Sequence, residues 1–169
     1  MAIREIIKLP HPTLKRNAHK VNDFGKDFQK LVDDMIETMR AEPGVGLAAP
    51  QVNQSLRLVV VEYPEDDTVE EAEPMLFVLA NPEFTFMSPE TIKGIEGCLS
   101  VPNLLGDVER SLDVIVEGQD RRGRKTEIKA SGWLARIFQH EIDHINGILY
   151  VDRAETLYQP DEITPDERV

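Results

Sequence analysis

Apolar residues recur at three- and four-residue intervals from Phe28 through Leu31, Val32, Met35, Ile36 and Met39. That spacing predicts an amphipathic helix, with Asp23 as its cap and Pro43 beyond its end. The pattern then changes. Residues 56–63 form a short β-branched run that predicts a strand, and a second follows around residues 76–81. Residues 112–119 alternate as a third strand, and residues 120–124 (Asp-Arg-Arg-Gly-Arg) make a hairpin turn into residues 125–129. From Trp133 the helical period returns and holds until Gly147, a C-terminal stop. Helix, several strands, then helix predicts an α+β domain, with antiparallel β-sheets packed around the C-terminal helix.

A length of 169 residues fits one domain with its own core. The single cysteine excludes a disulfide within the chain. The longest wholly apolar run, residues 75–80, is far short of the ~20 residues a membrane helix needs. No secretory or transit signal is evident at the start, so a cytoplasmic location is expected. The net charge of −12 is concentrated in residues 65–73, with six acidic side chains, and in residues 153–169, with five acidic and two basic. Both stretches read as solvated, which divides the chain into a folded domain over residues 1–152 and a short acidic tail over 153–169. No clustered basic face is present for stable nucleic-acid binding.

The chemistry begins with His140-Glu141-Ile142-Asp143-His144. Helical residues four apart share a face, so both imidazoles can reach one ion, while Glu141 can take a proton from water on it. A catalytic metal ordinarily takes three protein ligands. The sequence follows the metzincin protease pattern as far as Gly147 but has Tyr150 where that pattern needs histidine. Glu155, Glu162 and Glu167 lie in the acidic tail, so the third ligand is sought upstream. Cys98 is the candidate, because a thiolate is a strong ligand for a first-row metal. Its neighbours Gly97 and Ser100 suggest that it sits in a loop. His11 and His19 read as surface residues, and Trp133 and Ile137 share the helical face of His140. Residues 44–49 fit a loose dinucleotide fingerprint but lack the strand before and helix after that it requires.

Three segments together resemble the signature motifs of the peptide deformylases: Gly44-Val45-Gly46-Leu47-Ala48-Ala49-Pro50-Gln51, Glu96-Gly97-Cys98-Leu99-Ser100 and Gln139-His140-Glu141-Ile142-Asp143-His144. The resemblance implies hydrolysis of the N-formyl group from the formyl-methionine of nascent peptides. It implies Cys98, His140 and His144 as metal ligands, Glu141 as general acid and base, and the Gln51 amide with the Leu99 N–H as oxyanion donors. Val45, Gly46 and Gly97 would bind substrate backbone, with Trp133 and Ile137 lining a methionine pocket. Fe²⁺ is the favoured ion, with Zn²⁺, Ni²⁺ and Co²⁺ as alternatives. Relatives often carry arginine where this chain has Leu104 and Leu105, while Arg110 is retained as a partner for a carboxylate such as Glu96. The acidic tail argues for ribosome contact that is at most transient. The alternative activity is a metal-dependent endopeptidase of the HExxH type.

Overall fold

The computed structural model describes residues 2–160. Its first long element is α1 (Lys26–Ala41), capped by Gly25 and not by Asp23, whose carboxylate accepts the Gly25 N–H at 2.8 Å. Then come β1 (Gly46–Ala48), a 3-10 turn (Ala49–Val52), β2 (Leu58–Tyr63), β3 (Met75–Met87), β4 (Thr91–Cys98) and β5 (Val101–Ser111). The chain continues through β6 (Asp113–Gln119), β7 (Lys125–Ser131), α2 (Gly132–Ile145), α3 (Tyr150–Arg153) and β8 (Thr156–Tyr158). Five strands pair in the order β1-β2-β3-β6-β7 and three in the order β4-β5-β8, every pair antiparallel. The expected α+β arrangement is therefore present. Among the described residues no helix is long and apolar enough to cross a membrane.

The centre of the larger sheet is covered on both faces. The side chains of β2 alternate sides, so Leu58 and Val60 pack with Leu31, Met35 and Met39 of α1, while Val59 and Val61 pack with Leu134, Phe138 and Ile142 of α2. That double burial explains the uninterrupted apolar run in β2. Gly147 ends α2 at φ +76°, and a Cβ there would lie 2.7 Å from the Lys15 carbonyl oxygen, so the N-terminal segment docks only against a residue without a side chain.

The smaller sheet departs from expectation in three places. Residues 91–98 and 101–111 form a hairpin that the apolar pattern did not announce. Cys98 is the last residue of β4, not part of a loop, and pairs with Val101 across a tight turn. Residues 156–158, read as tail, are drawn into the sheet as β8 beside β5, while residues 161–169 lie outside the described residues. Residues 65–73 form a largely exposed connection between β2 and β3.

Candidate metal centre

Strand β4 and helix α2 face each other across the base of a cavity of about 390 Å³. Cys98 at the end of β4, and His140 and His144 one turn apart on α2, bring their ligand atoms within 4.8 Å of one another. The Cys98 Sγ is 3.4 Å from His144 Nε2. His140 Nδ1 lies 2.8 Å from Glu96 Oε1, a contact that turns its Nε2 toward the sulfur and the ion position. Burial pushes the pKa of His144 well down, favouring the neutral imidazole that coordinates metals.

Glu96 is fixed in turn. Arg110 grips it with Nε and Nη2, both at 2.9 Å, and Arg136 Nη1 donates to Oε2 at 2.6 Å. The expected Arg110–Glu96 partnership is thus present, and Arg110 Nη1 also reaches Asp143 on α2 at 2.7 Å. Burial opposes the charge on Glu96, yet the bonds from Arg110 and His140 prevail and hold its carboxyl well below the usual range. Arg136 escaped the sequence reading. Its signal was an arginine one turn before His140 on an otherwise buried helix.

Glu141 is buried beside these three side chains, with Oε1 3.8 Å from His140 Nε2 and Oε2 without a hydrogen-bond partner among the described residues. Burial raises its pKa to about 7, opposed in part by the charge on His140. Gln51 sits in the 3-10 turn after β1. Its Oε1 accepts the Ala48 N–H at 3.0 Å, orienting Nε2 toward Cys98 Sγ at 3.5 Å and Ser100 Oγ at 3.3 Å. Val45, Gly46, Gly97, Leu99 and Ile137 all line the cavity. Trp133 does not. One turn from Ile137, it remains 37% exposed, and its ring lies over the Arg136 guanidinium at 5.1 Å instead of turning into the pocket. His19 is exposed, and His11 instead accepts the Thr13 N–H.

One thiolate and two imidazoles, with an unpartnered buried carboxylate oxygen beside them, fit a divalent first-row metal that keeps a position for water. Tyr150 stacks on His140 and donates its hydroxyl to the Leu104 carbonyl at 2.7 Å, so the position a protease would give to histidine is a buried packing residue.

A family model described as Polypeptide deformylase matches residues 3–159. The chain belongs to that family. A peptide deformylase of Symbiobacterium thermophilum is 50% identical over 157 residues, covering 93% of this chain and 69% of the relative. One of Dehalococcoides mccartyi is 44% identical over 169 residues, covering 100% and 96%. Among solved structures, the peptide deformylase of Ehrlichia chaffeensis superposes with a TM-score of 0.84 at 36% identity, over 92% of this chain and 89% of that one. That of Thermotoga maritima gives 0.83 at 38% identity, over 92% and 100%. As a deformylase this chain is a metal-dependent hydrolase acting on N-formyl peptides. The endopeptidase alternative finds no support.

Proposed function

We propose that Cys98, His140 and His144 hold one divalent ion, and that Glu141, Gln51 and the Leu99 N–H act with it to remove the formyl group from N-terminal formyl-methionine. The observation that carries this reading is the convergence of the three ligand atoms within 4.8 Å beside the unpartnered Glu141 carboxylate. When bound, the ion supplies Lewis acidity and lowers the pKa of water from 15.7 toward about 7. Glu141 accepts the proton of the attacking water. Negative charge developing on the formyl oxygen is met by the Gln51 Nε2 donor and the Leu99 N–H, each of the kind whose loss costs about 10²–10³ in turnover. As the C–N bond breaks, Glu141 gives its proton to the leaving nitrogen, and formate departs from the free amine.

Substrate recognition follows from the sheet edges. Strand β1 ends one sheet and β4 ends the other, and residues of both line the cavity. An extended peptide can therefore add to either edge through Val45, Gly46 and Gly97, a mode that leaves backbone hydrogen bonds to do the binding. Ile137 forms the apolar wall for the methionine side chain.

A Cys-His-His donor set suits Fe²⁺, the ion proposed for the cell, and also accepts Zn²⁺, Ni²⁺ and Co²⁺. The expected location is the cytoplasm, where formylated chains are made. With a net charge of −12, stable binding to nucleic acid is not expected and ribosome contact is transient. Cosedimentation with ribosomes that persists at moderate ionic strength would overturn that last point.

Formate release from formyl-methionyl peptides, measured on anaerobically purified protein of known metal content, tests the central reading. Glu141→Gln should lower turnover by at least about 10²-fold while keeping the metal. An acetylated peptide should resist hydrolysis. Equal cleavage of both peptides, or a Glu141→Gln protein with parental turnover, would refute the assignment.

A further inference from the structure

The ligands come from separate parts of the fold. Cys98 ends β4 of the smaller sheet, whereas His140 and His144 ride on α2, which packs against the larger one. Their spacing depends on whatever ties α2 to β4. We propose that Arg136 is a positioning residue for the metal centre, cross-linking α2 to β4 and β5 so that Cys98 and the two histidines stay at ligating distance. This rests on the metal-site reading above.

The guanidinium makes three hydrogen bonds to the smaller sheet. Nη2 donates to the Ile92 carbonyl of β4 at 2.7 Å, and Nη1 donates to the Val108 carbonyl of β5 at 2.9 Å and to Glu96 Oε2 at 2.6 Å. Two of these acceptors are backbone, so the bonds fix the distance between the elements themselves. Arg110, by contrast, reaches only the carboxylates of Glu96 and Asp143 among the described residues. The strand accommodates the tie. A Cβ at Gly94 would lie 2.8 Å from Arg136 Cζ and 3.0 Å from its Nε and Nη2. Only a residue without a side chain lets the guanidinium lie this close to β4. Trp133, one turn earlier, covers the same group with its ring.

Removing Arg136 leaves Glu96 its two bonds from Arg110, so the buried carboxylate keeps a cationic partner and the fold has no unpaired charge to expel. What is lost are the bonds from α2 to the β4 and β5 backbone, while the side-chain contacts His140–Glu96 and Arg110–Asp143 still join α2 to the smaller sheet. Partners that orient metal ligands typically contribute about 10- to 100-fold in affinity, and a tie acting through Glu96 and the β4 backbone belongs near the lower figure.

Protein loaded with Co²⁺ provides the readout, through its thiolate-to-metal absorption band and the rate of Co²⁺ release to a chelator. Arg136→Met should shift the band and speed release about ten-fold. Gly94→Ala, which pushes the guanidinium off the strand while keeping it, should act in the same direction. Arg136→Lys keeps the charge but cannot span three acceptors, so it should resemble Arg136→Met more than the parent. Arg121→Met, which breaks ties to Gln29 and Asp33 far from the site, should release Co²⁺ at the parental rate. Parental release from Arg136→Met overturns the proposal, as does full restoration by lysine, which would make the effect one of charge alone. If thermal melts show that Arg136→Met does not fold, parental release from Gly94→Ala and Arg136→Lys overturns it instead. Failure of the underlying site reading looks different: the parent itself would show no absorption band that Cys98→Ser abolishes.

Discussion

Glu141 can lean over β1 only because residue 46 carries no side chain. A Cβ on Gly46 would come within 2.9 Å of Glu141 Cγ and 3.0 Å of its carboxylate carbon and Oε1. Gly46→Ala should therefore displace the carboxylate without touching a ligand, lowering kcat about 10²-fold with metal content unchanged, as formate release and metal analysis would show. The histidine pair could be picked out in the sequence, because two histidines at helical spacing around a glutamate leave few other readings, and the structure brings Cys98 beside it; the Arg110–Glu96 pair was anticipated too. Arg136 was not, since an isolated arginine on a helix resembles a solvated charge until its three acceptors are seen. Periodicity put Trp133 on the face of His140 but could not say which way the ring would turn.

At the level of elements, legibility followed apolar pattern. Helix α1 and strand β2 were readable because the positions they turn toward the core form an unbroken apolar set, even though α1 also buries Asp34 and Thr38. Strand β4 was hidden because its face toward α2 carries Gly94, Glu96 and Cys98, which make room for Arg136, hold His140 and offer a ligand. A strand that serves a site loses the alternation by which strands are recognised. The attachment of the N-terminal segment to α1 is equally polar. Asp34 accepts the Ala2 N–H at 2.8 Å, Arg4 Nε at 3.0 Å and Lys30 Nζ at 2.9 Å. Burial works against its charge, but these bonds prevail and lower its pKa from the ordinary 3.8. A depressed carboxyl binds fewer protons folded than unfolded. Its stabilising contribution is complete above about pH 4 and declines as pH falls through the folded pKa. Denaturant melts between pH 6 and pH 3 should show the parent's advantage over Asp34→Asn constant at the upper end and shrinking below pH 4.

On the scale of the whole molecule, the proposed ion would join β4 of the smaller sheet to α2, which packs on the larger one. The clusters on the two faces of the larger sheet contain none of the three proposed ligands, and Cys98 packs against the cluster of the smaller sheet. Stripping the metal should therefore leave far-UV dichroism largely intact. An ion present at a hundred times its Kd adds about 2.7 kcal/mol, so a chelator should lower Tm by roughly 5–11 °C in a scanning melt. The order of the proposed ligands along the polypeptide also matters for its synthesis. Sulfur leaves the ribosome first and both nitrogens follow only with the long helix, after the larger sheet has received its last strand. A half-made copy can present a thiol but has no imidazole pair to complete the coordination, so freshly translated molecules stay inert until that helix has emerged and docked.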